Sequence, residues 1–204
     1  MGKPGRIRVI GLTGPIAGGK SSAAQLLADR GAEVIELDTV GHELLAEPAV
    51  RAEVDAAFPE AAGAADQAEL RRRLGALVFA DPPRLARLEA ILHPRMCARV
   101  RDRVAARRAS GRGGTLVICG ALLYEMGLDQ ACDEVVVVDA PPEARAERAR
   151  AARGWDRNEL SRREARQLPA AVKRGRADYV VDNDRGLEDL AAGLAAIWEE
   201  HACP

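Results

Sequence analysis

Short runs of consecutive β-branched and aliphatic residues alternate along this chain with longer stretches in which apolar positions return every three or four residues. The short runs cover residues 8–12, 33–37, 115–119, 134–139 and 179–182, each bounded by Gly, Asp or Pro, and each predicts a strand. They lack a polar face. Val135, Val136, Val137 and Val138 follow one another without interruption, as a strand covered on both sides requires. The intervening stretches, rich in Ala, Leu, Arg and Glu, supply the helical crossovers that parallel strands need. The pattern therefore predicts an α/β fold built on a five-stranded parallel sheet.

Two intervals are too long for a single crossover. Residues 41–113 contain no convincing strand and read as a helical insertion, within which residues 67–79 set Leu70, Leu74, Leu77 and Val78 on one stripe. A second helical run, residues 82–109, contains Pro94, which lacks an N–H donor and predicts a kink or a break there. Residues 56–66, alanine-rich with Gly63, read as an exposed connection. The second interval, residues 141–176, crowds basic side chains from Arg145 to Arg176. With a core formed by residues 1–40, 114–140 and 177–204, the 204 residues are expected to make one domain.

Composition then narrows the chemistry. Thirty basic side chains against 31 acidic ones leave a formal charge of -1, which provides no general field for nucleic acid or an anionic membrane. The few aromatic residues are not interleaved with arginines as a base-stacking surface would be. Cys97, Cys119, Cys132 and Cys203 lie far apart, so neither a zinc site nor a disulfide framework is indicated, and reduced thiols suit the cytoplasm, with Cys203 expected as a free thiol at the terminus. The basic opening, residues 1–6, runs into a strand too short for a signal or membrane segment.

One segment carries specific chemistry. Gly14-Pro15-Ile16-Ala17-Gly18-Gly19-Lys20-Ser21 matches the phosphate-loop spacing, and it stands directly after the first predicted strand and before a predicted helix. Glycines let successive backbone N–H groups turn inward to phosphate oxygens, and the helix dipole adds positive potential. Lys20 is expected to reach the β- and γ-phosphates of ATP, Ser21 to offer a hydroxyl to Mg²⁺, and Ser22 to bond a phosphate oxygen. Asp38, at the end of the second predicted strand, reads equally as a general base and as the N-cap of the helix that follows. No acid ends the third strand, where Val117-Ile118-Cys119-Gly120 stands; this argues against a motor or helicase and suits a small-molecule kinase. The arginines of 141–176 read either as a solvated face paired with Glu143, Glu147, Glu159 and Glu164, or as neutralisers of a transferring phosphoryl group.

Taken in order, these motifs resemble the dephospho-CoA kinase family. The resemblance rests on the phosphate loop, Glu36-Leu37-Asp38 with His42, Leu74-Gly75 with Val78-Phe79, and Leu88 to Pro94. It continues through Leu122-Leu123-Tyr124-Glu125, Arg148, Arg153, Gln167, Lys173, Ala177-Asp178 and Asp182-Asn183. It implies a kinase core with a helical domain that receives the CoA moiety and a helical lid. It also implies phosphorylation of the 3′-hydroxyl of dephospho-CoA by ATP with Mg²⁺, with Asp38 as the base. Gly14, Ala17, Gly18, Gly19, Lys20, Ser21 and Ser22 would hold the nucleotide phosphates, Arg148 and Asn183 would flank adenine, and Arg153 together with Arg145 would face the phosphates. His42, Arg71, His93, Tyr124 and Glu125 would serve the acceptor, although His42 and Arg71 also read as solvated helix residues and His93 as a helix-end residue. Pro15, Ala17, Glu36 and Gly120-Ala121 depart from the family's usual residues. A kinase of another metabolite or nucleotide, and a non-catalytic nucleotide-binding module, are the alternative readings.

Overall fold

The computed structural model describes residues 7–79 and 81–200; Cys203 and residues 1–6 lie outside them. Five strands form one sheet: β1 (Ile7–Thr13), β2 (Glu33–Glu36), β3 (Gly114–Cys119), β4 (Glu134–Asp139) and β5 (Tyr179–Asp182). Their spatial order is β2-β3-β1-β4-β5, with every neighbouring pair parallel. The register sets Leu12 against Cys119, Glu36 against Cys119, Thr13 against Val137 and Asp139 against Asp182. All five strands thus end on one edge of the sheet, where ligands bind in open α/β folds.

The helices are α1 (Lys20–Ala28), α2 (Leu37–Ala46), α3 (Pro48–Ala57), α4 (Gln67–Val78), α5 (Pro82–Ala109), α6 (Pro142–Arg153), α7 (Arg157–Glu164), α8 (Ala170–Arg176) and α9 (Leu187–Glu200). None among the described residues is long and apolar enough to cross a membrane. The chain divides into two compact units, one formed by residues up to 36 and from 104 onward, the other by residues 37–103. In the first unit Ile10, Leu12, Val117, Val136 and Val138 of the sheet pack with Ala23 and Leu27 of α1 and with Leu190 and Leu194 of α9. In the second, Val50, Val54, Phe58, Ala61, Leu70, Leu74, Val78 and Ile91 make a separate core. Leu77 packs at its margin only partly buried.

Three local expectations change. Leu37 and Asp38 belong to α2 and not to the second strand, so Asp38 is the helix's second residue rather than its N-cap. Its carboxylate in the first turn complements the helix dipole. Residues 56–66 are an exposed connection only in part: most of the stretch meets solvent, but Phe58 and Ala61 are fully buried, because a lone aromatic in an alanine-rich stretch still removes a large apolar area from water. The run 82–109 is not divided at Pro94; α5 continues through it, so the missing N–H is tolerated within the helix and leaves the Ala90 carbonyl without its usual partner.

Two aspartates fix how strands follow one another. The Asp133 carboxylate accepts from the Val9 N–H at 2.7 Å while its own N–H donates to the Val9 carbonyl. Asp178 repeats the arrangement on Val135, again at 2.7 Å. Each clamps the start of one strand to its neighbour, and this gives Asp178 a structural role.

Candidate active site

The phosphate loop is built by the end of β1 and the start of α1. Gly14 has φ 147°, and a Cβ there would lie 2.0 Å from the Val138 carbonyl oxygen, so only glycine lets the chain turn against β4. Within the loop the Gly18 N–H donates to the Pro15 carbonyl at 3.1 Å. Ala17 has φ 58° and is the only non-glycine with positive φ among the described residues. Its Cβ costs about 1 kcal/mol in that conformation. Gly19, with φ 112°, is the N-cap of α1 and has no side chain to satisfy the first-turn N–H groups; these are the donors an anion takes up at a helix start. Lys20 folds back over the loop, its Nζ donating to the carbonyls of Gly14 at 3.0 Å and Pro15 at 2.8 Å. Ser21 and Ser22 are exposed in the first turn.

Arg148 and Asn183, far off in sequence, are gathered onto this loop. Asn183 is buried; its Nδ2 donates to the Gly18 carbonyl at 3.0 Å and its N–H to the Asp139 carbonyl at 2.7 Å. A Cβ on Gly19 would meet that amide nitrogen at 2.0 Å, so glycine here admits the asparagine. Arg148 on α6 donates to the Asn183 carbonyl at 2.8 Å and reaches the Ala17 carbonyl at 3.5 Å. Loop, asparagine and arginine form one hydrogen-bonded group.

The turn at 121–127, after β3, holds Tyr124 and Glu125. Tyr124 is buried, with Arg176 over its ring at 4.2 Å. Burial pushes its phenol upward from the usual value, against the opposing charge of Arg176. Glu125 Oε1 accepts from the Leu168 N–H at 2.7 Å and from Lys173 Nζ at 3.0 Å. The role of Lys173 is not read from the sequence pattern, in which it stands as one more cation in a basic run. Nearby, burial pushes the Cys132 thiol up to about 12, so it behaves as an inert small side chain that donates to the Leu128 carbonyl.

The arginines of 141–176 are mostly engaged. Arg145 is buried, donating to the Ala140 carbonyl at 3.0 Å and pairing with Glu164, which ties α6 to α7. Arg162 and Arg163 pair with Glu159, and Arg174 with Asp139 and Asp182. Arg153, exposed at the end of α6, lies over the Trp155 ring at 4.7 Å, with Arg163 over the same ring at 4.0 Å. Pairing of this kind accounts for much of the run without any ligand.

In the second unit, Asp38 and His42 stand four residues apart on α2 and so share a face. His42, exposed on α2, is pushed below its ordinary value first by partial loss of solvent and then by the Arg71 guanidinium, while the Asp38 carboxylate opposes the shift. The three residues therefore form one electrostatic group. The run Arg71-Arg72-Arg73 is divided in role: Arg72 and Arg73 pair with Glu69, and Arg73 also bonds the Ala62 carbonyl, whereas the charge of Arg71 acts on His42. His93 is half-buried within α5, just ahead of Pro94.

The dephospho-CoA kinase family matches over residues 8–189. The dephospho-CoA kinase of Deinococcus radiodurans is 43% identical over 196 residues, 95% of this chain and 92% of that protein. That of Thermobifida fusca is 39% identical, covering 94% of each. A Thermus thermophilus crystal structure is 35% identical with a TM-score of 0.77, over 97% of this chain and 100% of its own.

Proposed function

The chain belongs to the dephospho-CoA kinase family, and we propose that it transfers the γ-phosphoryl group of ATP to the 3′-hydroxyl of dephospho-CoA, with Asp38 as base. The reading rests above all on residues 14–22, where a loop with positive φ at Gly14, Ala17 and Gly19 opens a helix whose first-turn donors lack a side-chain cap and whose lysine donates to two backbone carbonyls of the loop. A triphosphate offers that ammonium charged oxygens in exchange for two carbonyls, and hydrogen bonds to charged partners are roughly twice as strong.

Asp38 accepts the proton of the 3′-hydroxyl as its oxygen forms the bond to the γ-phosphorus; the bond from that phosphorus to the β–γ bridging oxygen breaks, and ADP leaves. Lys20 offsets the charge on the nucleotide, and Arg148 and Asn183, bonded to each other and to the loop, flank its adenine. Arg153 exchanges the Trp155 face for phosphate oxygens. Tyr124, Glu125, Arg71, His42 and His93 serve the acceptor. Mg²⁺ suits the hard oxygen donor that Ser21 presents, exposed in the first turn of α1 beside the phosphate loop. Ser21 Oγ would be its protein ligand, with phosphate and water oxygens completing the shell of a hard cation. When bound, the ion neutralises the β- and γ-oxygens.

The test is ADP release coupled to a reporter, with dephospho-CoA, AMP, CMP, shikimate and gluconate offered in turn. Dephospho-CoA alone should accelerate release, and its product should carry the new phosphate on the 3′-oxygen. Asp38→Asn should lower kcat by about a hundredfold or more, with ATP affinity nearly kept. Faster release with any other acceptor overturns the assignment, and full activity in Asp38→Asn removes the base.

A further inference from the structure

Lysine is rare in this chain. Twenty-seven arginines stand against three lysines, at positions 3, 20 and 173. Lys20 belongs to the phosphate loop and position 3 lies outside the described residues, which leaves a lysine on α8 that is completely buried. A compact ammonium offers three donors from one point, whereas a guanidinium needs room for a planar fork. Around Lys173 Nζ stand three acceptors: Glu125 Oε1 at 3.0 Å, Gln167 Oε1 at 3.4 Å and the carbonyl of Ala121.

Those acceptors lie on two segments remote from each other in sequence. Ala121 and Glu125 belong to the turn after β3, and Gln167 to the connection between α7 and α8. Glu125 Oε1 also takes the Leu168 N–H, and the Ala121 carbonyl takes the Thr13 hydroxyl at 3.5 Å, which brings the last residue of β1 into the same group. One turn further along α8, Arg176 covers the ring of Tyr124. The Tyr124 hydroxyl is buried and has no hydrogen-bond partner among the described residues. A single helix thus fixes two adjacent side chains, Tyr124 and Glu125, through residues three apart on one of its faces.

We infer that Lys173 is a positioning residue for the phosphoryl acceptor: it sets the 121–127 turn so that Tyr124 and Glu125 meet the acceptor, and nucleotide binding does not depend on it. The inference rests on the acceptor role proposed above for that pair.

Lys173→Met keeps the length of the side chain and removes its donors. In this variant kcat/KM for dephospho-CoA should fall about tenfold or more per folded molecule, while the Kd of a non-hydrolysable ATP analogue stays within about twofold. Amide exchange across residues 121–127 and at Leu168 should speed up by about tenfold or more. Unchanged kcat/KM in a protein with lowered Tm makes the lysine purely structural and overturns the inference, as does an equal loss of nucleotide affinity. If Lys173→Met does not accumulate as folded protein, Gln167→Leu removes one acceptor and should move the same two quantities by about threefold; unchanged values there overturn it too. A wild-type enzyme inert toward dephospho-CoA would sink the proposed function, and the exchange measurement would still decide whether Lys173 holds the turn.

Discussion

At the scale of single residues, charge and backbone conformation sort side chains of one type into different tasks. Arg71, Arg72 and Arg73 are consecutive, yet two are absorbed by Glu69 and the third acts on His42. The imidazole of His42 should therefore titrate below the ordinary 6.5. The sign is that of a depressed group: the neutral ring's contribution to stability is present above 6.5, where the unfolded chain has also lost its proton. It is lost as the pH falls through the lower folded value. Two-dimensional NMR of the ring should show the midpoint rising in Arg71→Ala and falling further in Asp38→Asn. An unmoved midpoint in both variants would separate three residues that are grouped here. The grouping is only partly legible in sequence: the spacing of Asp38 and His42 on a helix is local, but the approach of Arg71 is not.

At the scale of elements, burial outranks composition. The stretch 56–66 has the look of surface because alanine dominates it, while Phe58 carries the side chain that matters and is only 1% exposed. Phe58→Ala should destabilise the protein by about 3–5 kcal/mol in urea titration, through lost burial and the cavity left behind. Phe79→Ala, at a ring 42% exposed, should cost less than about 1 kcal/mol. Equal effects would mean that the second core is not organised around Phe58. The strands, by contrast, are legible nearly to their ends, since a run such as Val135 to Val138 is wholly β-branched and too short for a buried helix. The error at Leu37 and Asp38 falls where a short strand passes directly into a helix and both prefer apolar residues.

At the scale of the whole molecule, the nucleotide loop draws on three distant parts of the chain: β1 with α1, the end of β4 through Val138 and Asp139, and Asn183 with Arg148. Binding there should stabilise the fold as a unit. ATP at a hundredfold its Kd adds about 2.7 kcal/mol by mass action and raises Tm accordingly. Lys20→Ala should lose most of that rise at the same ATP concentration while leaving the Tm without nucleotide little changed. A variant that keeps the full rise would take Lys20 out of phosphate binding.

Periodicity, glycine placement and the Lys-Ser pair are local properties, and from them alone come the five parallel strands, the phosphate loop and the class of chemistry. Which charges remain available for a ligand is decided elsewhere. Arg145 is tied to Glu164, Lys173 sits beneath Glu125, and Arg148 is brought to the loop through Asn183, all by packing between segments remote in sequence. An ion pair depends on distance in space, which no spacing along the chain encodes, so only the folded structure separates the arginines that hold the protein together from those left to meet a phosphate.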